Sequence, residues 1–169
     1  MISGVLSSSP AAGAQVALWR EAAGQSSFQQ VAQTTTDSSG AYTFTLARGV
    51  VLADQAWYVT SGALRSATID QQVRALVGLV TAKRSMVAGQ QVVLHGHVTP
   101  SHPGEPVLIE QSHGGGWRVI ALARLSKGSN YTFSHRFTQT GRTKMRAVLQ
   151  GDTRNVQSIS PVLTLTVTP

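Results

Sequence analysis

One ordered set of sequence signals occurs twice in this chain of 169 residues, and this duplication constrains the fold more than any other feature. The first copy covers residues 4–46 and the second covers residues 96–135. Each copy starts with a glycine beside a valine-containing segment and continues with a second glycine that precedes Val-x-Leu or Val-x-Ile. Each then reaches a turn followed by Tyr-Thr-Phe, at 42–44 and at 131–133. A unit repeated in this way predicts two small modules in tandem.

Apolar and polar residues alternate within both copies, as they do when one face of a β-strand is buried. Val16 and Leu18 define such a face in the first copy, and Val92 and Leu94 define one in the second. Turn-forming residues separate these segments at short intervals, and no segment has a convincing helical period. The sequence therefore predicts an all-β fold of two tandem β-sandwiches. The predicted core residues are Val16, Leu18, Tyr42, Phe44, Val107, Ile109, Tyr131 and Phe133.

The duplication also predicts where one module ends and the next begins. We expect a first sandwich over residues 1–73 and a second, strongly basic one over residues 74–169, each near the lower size limit of an independent core. The apolar residues of 69–79 fit either a helical stripe or a strand. We interpret this stretch as a connector that leads into the first strand of the second module.

Charge is distributed unevenly between the modules. Residues 1–73 contain three arginines and four acidic residues, a net charge of −1, whereas residues 74–169 contain eleven Lys or Arg and three acidic residues, a net charge of +8. Any attraction to polyanions is therefore expected in the second module. The chain has no cysteine, which excludes disulfides and thiolate chemistry and leaves the redox compartment open.

Three segments of the first copy resemble a known kind of repeat. The segments 2–5, 13–18 and 36–44 are similar to the carboxypeptidase regulatory-like and collagen-adhesin B-type repeats of bacterial surface proteins, and the wider chain resembles Ig-like modules of exported bacterial proteins. The resemblance implies an Ig-like or prealbumin-like β-sandwich that serves as a spacer, stalk or accessory binding unit. Its motifs specify a fold better than a function.

Residues for catalysis are scarce. The chain has only seven acidic residues, and Asp37, Asp54, Glu105 and Asp152 lie in or beside turns, so no carboxylate pair on facing strands is indicated. The motifs of serine hydrolases, zinc proteases, phosphate loops and dinucleotide sites do not occur. A calcium loop at Asp37 would need more carboxylates, so we interpret Asp37 as a turn residue. We expect no enzymatic activity and no cofactor.

All five histidines fall in the second module. His95 and His97 are two residues apart on a predicted strand, so both side chains project from one face. This spacing suits two ligands of a surface metal site, with His102 or His113 as a third ligand. The alternative, which we favour because no carboxylate or cysteine accompanies the pair, is two exposed histidines without a metal. His135 is expected at the edge of the core.

Two tryptophans are candidates for stacking on sugar rings. Trp19 must face outward if Val16 and Leu18 face the core, and Trp57 must face outward if Tyr58 packs inward. Exposed indole rings suit a neutral glycan. The alternative, which we favour, is that each ring covers a sheet edge or a neighbouring module.

Arg142, Lys144 and Arg146 alternate along one predicted strand and are expected to share a face opposite Met145 and Ala147. Such a row suits an anionic polymer such as a wall teichoic acid, lipid head groups or nucleic acid. No aromatic residue alternates with the basic ones, so specific nucleic-acid recognition is not expected. The alternative is a solvated basic face.

The sequence thus predicts a non-catalytic spacer or adhesion module from a larger secreted or cell-surface bacterial protein. The alternative function is an accessory polysaccharide-binding module. Expected partners are a cell-wall or extracellular polysaccharide or another surface protein. No segment is apolar for long enough to cross a bilayer, and a monomer is expected. A signal peptide and an anchor are expected to lie outside this fragment.

Overall fold

The computed structural model describes residues 1–47 and 49–169, and every regular element in this part of the chain is a β-strand. Contacts between residues divide the chain into unit 1, Met1–Val73, and unit 2, Arg74–Pro169. The prediction of an all-β fold is confirmed. Within the described ranges, no helix is present that is long and apolar enough to span a membrane.

Unit 1 is built from two sheets that enclose a small core. Its strands are β1 (Ile2–Val5), β2 (Gln15–Ala22), β3 (Gln29–Thr35), β4 (Ala41–Phe44), β5 (Gln55–Ser61), β6 (Leu64–Arg65) and β7 (Ile69–Gln71). β1 and β4 form one sheet, and the other has the order β3-β2-β5-β6 with β7 also paired to β5. Val16, Leu18, Phe44 and Trp57 are buried together, and Tyr42 packs against them half-buried.

Unit 2 has a larger core between two sheets. Its strands are β8 (Leu76–Val77), β9 (Ser85–Val87), β10 (Gln91–Thr99), β11 (Pro106–His113), β12 (Gly116–Arg124), β13 (Asn130–Arg136), β14 (Gly141–Leu149), β15 (Ser158–Ile159) and β16 (Leu163–Thr168). One sheet has the order β13-β10-β8, and the other has the order β12-β11-β14-β16-β9 with β15 paired to β14. Val107, Ile109 and Tyr131 are buried in this core as predicted, whereas Phe133 is only partly buried.

Residues 69–79, which the sequence left ambiguous, form no helix. β7 pairs with β5 in unit 1, and β8 pairs with β10 in unit 2. Short strands of two or three residues carry too few alternations to be distinguished from a connector by their pattern. The interpretation that this stretch leads into the first strand of the second module is therefore correct for residues 76–77, which form β8, whereas residues 69–71 form β7, a strand of unit 1.

A glycine and a tyrosine face each other across two strands in both units. Gly4 is paired with Tyr42, and Gly96 is paired with Tyr131. In each pair the tyrosine ring lies over the glycine, where a Cβ would clash with it. In unit 2 the Tyr131 hydroxyl donates a hydrogen bond to the Gly78 carbonyl at 2.5 Å, and burial raises the pKa of Tyr131 above its ordinary value. The duplicated Gly and Tyr signals thus mark one packing motif.

The turn before each Tyr-Thr-Phe segment is also shared. Gly40 has φ +82° and Ser129 has φ +56°, and their carbonyls accept hydrogen bonds from Leu6 N–H at 2.9 Å and Val98 N–H at 3.0 Å. Asp37 Oδ1 closes the turn in unit 1 by accepting bonds from the Ser39 and Ala41 amides and the Ser39 hydroxyl. The interpretation of Asp37 as a turn residue is therefore correct.

These three donors also act on the ionisation of Asp37. The Ser39 hydroxyl, the Ala41 amide and the Ser39 amide stabilise its carboxylate and hold the pKa of Asp37 below its ordinary value. In unit 2 the corresponding position is Ser126, whose hydroxyl accepts a bond from the Asn130 amide at 3.2 Å. The two turns therefore share a geometry but differ in charge.

Candidate functional site

The outward faces of the two units differ at one equivalent position. The β2–β3 ladder shifts register between Leu18 and Trp19, and the β11–β12 ladder shifts between Ile109 and Glu110. The residue after each shift points away from the core, because Leu18 and Ile109 are fully buried and neighbouring residues alternate. Trp19 and Glu110 therefore occupy corresponding places on the two sheets.

Trp19 belongs to a cluster that we call the aromatic face, defined as Trp19, Phe28, Tyr58 and Arg65. Trp19 is the cross-strand partner of Tyr58, with ring centroids 5.8 Å apart and planes 12° from parallel. Phe28 lies 4.7 Å from the Tyr58 ring, and the Arg65 guanidinium carbon lies 3.8 Å from the same ring centroid. All three rings are partly exposed. The predicted outward orientation of Trp19 is confirmed.

Trp57 corrects the sequence analysis. It is only 3% exposed and packs in the core of unit 1, so the predicted outward orientation is wrong and its ring is not open to a glycan. Its indole N–H donates to Gln71 Oε1 at 2.9 Å. In β5 the inward residues are Gln55, Trp57 and Val59, which leaves Tyr58 on the outside. Both members of a Trp-Tyr pair suit a core, so alternation alone could not decide which faces inward.

The basic strand of unit 2 has the predicted orientation but is not free along its whole length. Met145 and Ala147 are buried, and the three basic residues face outward. Arg146 Nε lies 2.6 Å from Glu110 Oε2, and the Arg146 guanidinium carbon lies 4.2 Å from the Trp117 ring centroid. Because Arg146 is held by these contacts, exposed basic charge on this strand is limited to Arg142 and Lys144.

Glu110 and Trp117 were not identified from the sequence as partners of Arg146. The signal that pairs them is the register of three adjacent strands, in which Glu110 faces Arg146 and Ser112 faces Trp117. A register of this kind depends on the bulge, which a pattern of alternation does not show. Arg146 thus binds the Glu110 carboxylate and the Trp117 ring at the same time, so its charge is already engaged within unit 2.

The exposed histidine pair has the predicted geometry. His95 and His97 point outward from β10, opposite the buried Val92 and Leu94, and His97 Nδ1 lies 3.1 Å from Asn130 Oδ1. Among residues 1–47 and 49–169, no group of three or more His, Cys, Asp or Glu side chains is placed to hold a metal ion. Both side chains are exposed, as predicted. That the pair holds no metal stays a prediction.

The other histidines have distinct surroundings. His102 has 0% exposure, which contradicts its suggested role as a third ligand on a surface, whereas His113 is exposed. His135 lies between Phe133 and Phe137, at 5.6 and 4.6 Å between ring centroids, and burial lowers its pKa below the ordinary value. Its predicted place at the edge of the core is confirmed.

His102 connects three loops at one end of unit 2. Its ring Nδ1 lies 2.7 Å from the Pro100 carbonyl, its backbone N–H donates to Ser129 Oγ at 2.7 Å, and its Nε2 lies 3.6 Å from Asp152 Oδ2. Burial acts to raise the pKa of Asp152, but bonds from the Arg154 and Asn155 amides together with the electrostatic effects of His102 and Arg154 outweigh it, and the pKa lies below the ordinary value. This loop cluster is structural, because its ring nitrogens point into the protein.

Comparison with known proteins gives a likeness of fold. No known protein family and no curated protein matches the chain. Solved structures with a similar fold include the tetra-tandem repeat from the extending region of a large adhesion protein, at 20% identity and a TM-score of 0.44, which covers 98% of this chain and 44% of that one. The D0-D1 domain of intimin is 13% identical with a TM-score of 0.42, covering 97% of this chain and 88% of that one.

Invasin, a bacterial integrin-binding protein, is 15% identical with a TM-score of 0.40, covering 98% of this chain and 35% of that one. The chain therefore spans less than half the length of the large adhesion protein and invasin structures. At these identities the likeness concerns the β architecture alone. The finer resemblance to carboxypeptidase regulatory-like repeats stays a prediction.

Proposed function

We propose that this chain is a non-catalytic structural and adhesion segment of a larger secreted or cell-surface bacterial protein. The observation that carries the proposal is that the features shared by both units are packing and turn residues. The Gly-Tyr pairs, the turns with positive φ and the register shifts recur in both units. The charged, histidine and aromatic residues on the surfaces of the two units do not correspond. Duplicated fold residues around divergent surfaces are typical of a presenting scaffold.

The strand order of unit 2 supports a role in bearing tension. β9, near the start of this unit, pairs in parallel with β16 at its end. Backbone bonds join them, from Ala88 N–H to the Thr168 carbonyl at 2.9 Å and from Thr166 N–H to the Arg84 carbonyl at 2.8 Å. Force applied through the two ends of a parallel pair loads such bonds together in shear, because they lie across the direction of pulling.

Single-molecule force spectroscopy of the whole chain tests this proposal. Unit 2 should unfold in a resolved force peak with a length gain of about 300 Å, from about 3.5 Å for each extended residue less the folded length. Ala88→Pro removes one donor of the β9–β16 pair and should lower the rupture force of unit 2, while unit 1 serves as the internal control. Extension of unit 2 without a force peak, or an unchanged peak in the variant, would contradict the proposal.

A further inference from the structure

We infer that the aromatic face of unit 1 is a binding site for a neutral saccharide chain of pyranose rings with equatorial hydroxyls, such as a β-1,4-linked glucan or N-acetylglucosamine polymer. Trp19 would provide the stacking surface and the surrounding polar side chains would bind the hydroxyls. This site goes beyond the proposed structural role, which would hold whether or not a sugar binds.

The fold does not require these rings. Trp19 and Tyr58 lie on the side of β2 and β5 opposite the core residues Leu18 and Trp57. At the corresponding place unit 2 has the ion pair of Glu110 and Arg146, and its sandwich forms equally well. A large apolar cluster on an outward face that the scaffold does not need marks an interaction surface.

The aromatic face is also held in one arrangement before any ligand arrives. Trp19 Nε1 donates a hydrogen bond to Thr60 Oγ1 at 2.9 Å, which fixes the indole on the sheet. Tyr58 is held between Trp19 and Phe28, and the Arg65 guanidinium lies over its ring. Binding a saccharide therefore requires little further ordering of these side chains, and the entropy lost in such ordering is one of the main terms that weaken binding.

The rim of this face suits hydroxyl groups rather than a second apolar surface. Gln30 and Gln33 are exposed on β3, opposite Trp19 and Ala17 in the strand register, and Glu21 follows on β2. Their amide and carboxylate groups both accept hydrogen bonds and the amides also donate them, as sugar hydroxyls do. A pyranose offers one apolar C–H face and a polar edge, which matches an aromatic centre with this rim.

Charge favours a neutral saccharide over an anionic one. Unit 1 carries a net charge of −1, and Glu21 and Asp70 are both paired with Ala56 of β5, two residues from Tyr58 and on the same outward side of the sheet. A polyanion would meet repulsion from these carboxylates. The basic side chains that would attract a polyanion lie in unit 2.

The experiment uses the indole N–H signals of the intact chain in ¹H–¹⁵N spectra, because each of the three tryptophans gives one. Titration with cellohexaose and with the N-acetylglucosamine hexamer should shift the Trp19 signal in a saturable manner. The signals of Trp57, bonded to Gln71 in the core, and of Trp117 in unit 2 should stay in place. Each saccharide is a separate arm, and saturation with either one supports the site.

Three variants make the test specific. Trp19→Ala should weaken binding about tenfold or more, and Trp19→Phe should retain part of the affinity because a ring remains. The backbone amide signals of β2 and β3 in the same spectra report binding in these two variants, which lack the Trp19 indole. Trp117→Ala removes a half-buried tryptophan from unit 2 and should leave binding unchanged. The Trp57 signal reports that unit 1 is still folded in the Trp19 variants. No saturable shift of Trp19 with either saccharide at millimolar concentration, or equal affinity in folded Trp19→Ala, overturns the inference.

Discussion

Gly96→Ala should unfold β8 at the edge of its sheet in unit 2, because Gly96 lies directly against the Gly78 carbonyl and the Tyr131 ring. A Cβ at Gly96 would clash with the Gly78 carbonyl oxygen of the neighbouring segment and with the Tyr131 ring. Gly78 is tied to β10 by its N–H, which donates to the His97 carbonyl at 2.8 Å, and by its carbonyl, which accepts from Tyr131. One methyl group therefore displaces both β8 and the buried tyrosine.

The expected loss of stability has two parts. Overpacking a close-packed site costs about 1 to 3 kcal/mol. Loss of the hydrogen bond from Tyr131 to the Gly78 carbonyl costs about 1 to 2 kcal/mol. Gly96→Ala should therefore destabilise unit 2 by about 2 to 5 kcal/mol, and Tyr131→Phe, which removes only the hydroxyl, should lose about 1 to 2 kcal/mol.

Gly4→Ala is the matched control, because Gly4 faces Tyr42 in the same motif of unit 1. There the three atoms nearest to a new Cβ all belong to the side chain of Tyr42, which is half-buried and can turn toward solvent. We expect a loss of about 1 kcal/mol. Hydrogen exchange measured by mass spectrometry along a urea series resolves the two units in the intact chain. Equal losses for the two glycines, or protection of β8 that survives Gly96→Ala, would refute the reasoning.

Two further predictions concern the turn and the loop cluster. Because the pKa of Asp37 is lowered on folding, the stabilisation from its carboxylate is present above about pH 3.8 and is lost as pH falls through the folded pKa. Asp37→Ser, which copies Ser126, should therefore reduce the fall of the urea unfolding midpoint of unit 1 at acid pH and leave unit 2 unaffected. An unchanged pH dependence of the unit 1 midpoint would contradict this. His102→Ala should destabilise unit 2 by about 2 to 4 kcal/mol and increase hydrogen exchange in the three loops, because the His102 ring is fully buried between them. The control His97→Ala changes an exposed side chain and should cost less than about 0.5 kcal/mol. Equal losses of stability in the two variants would count against the structural role of the loop cluster.

Much of the fold could be predicted because the signals that specify it are local. Alternation identifies Val16 and Leu18 as core residues without knowledge of their partners, and the Tyr-Thr-Phe segments mark equivalent strands. The turn of unit 2 was less predictable in detail. Its positive φ lies at Ser129 and not at Gly128, because the turn is positioned by bonds to Ser126 and Val98 that a glycine pattern does not reveal.

The candidate site was harder to predict because it depends on which strands lie side by side. The sequence identified Trp19 but named as the second candidate Trp57, which is buried, and not Tyr58, the cross-strand neighbour of Trp19. Phe28 lies directly before β3 and Arg65 lies on β6, and both reach the same ring only through the sheet order. Period-two patterns specify a face for each strand separately, whereas a surface cluster is a property of three or four strands together.

The contrast between the two units explains why function should be sought in single residues and not in the repeat. At corresponding places after the register shifts, unit 1 has an aromatic pair and unit 2 has an ion pair that is covered by Trp117. Glu110 pairs with Arg146, so the exposed basic charge of β14 is reduced to Arg142 and Lys144. In unit 1 the same place keeps its rings partly open. The scaffold is thus shared, and the chemistry at one position decides what each unit can bind.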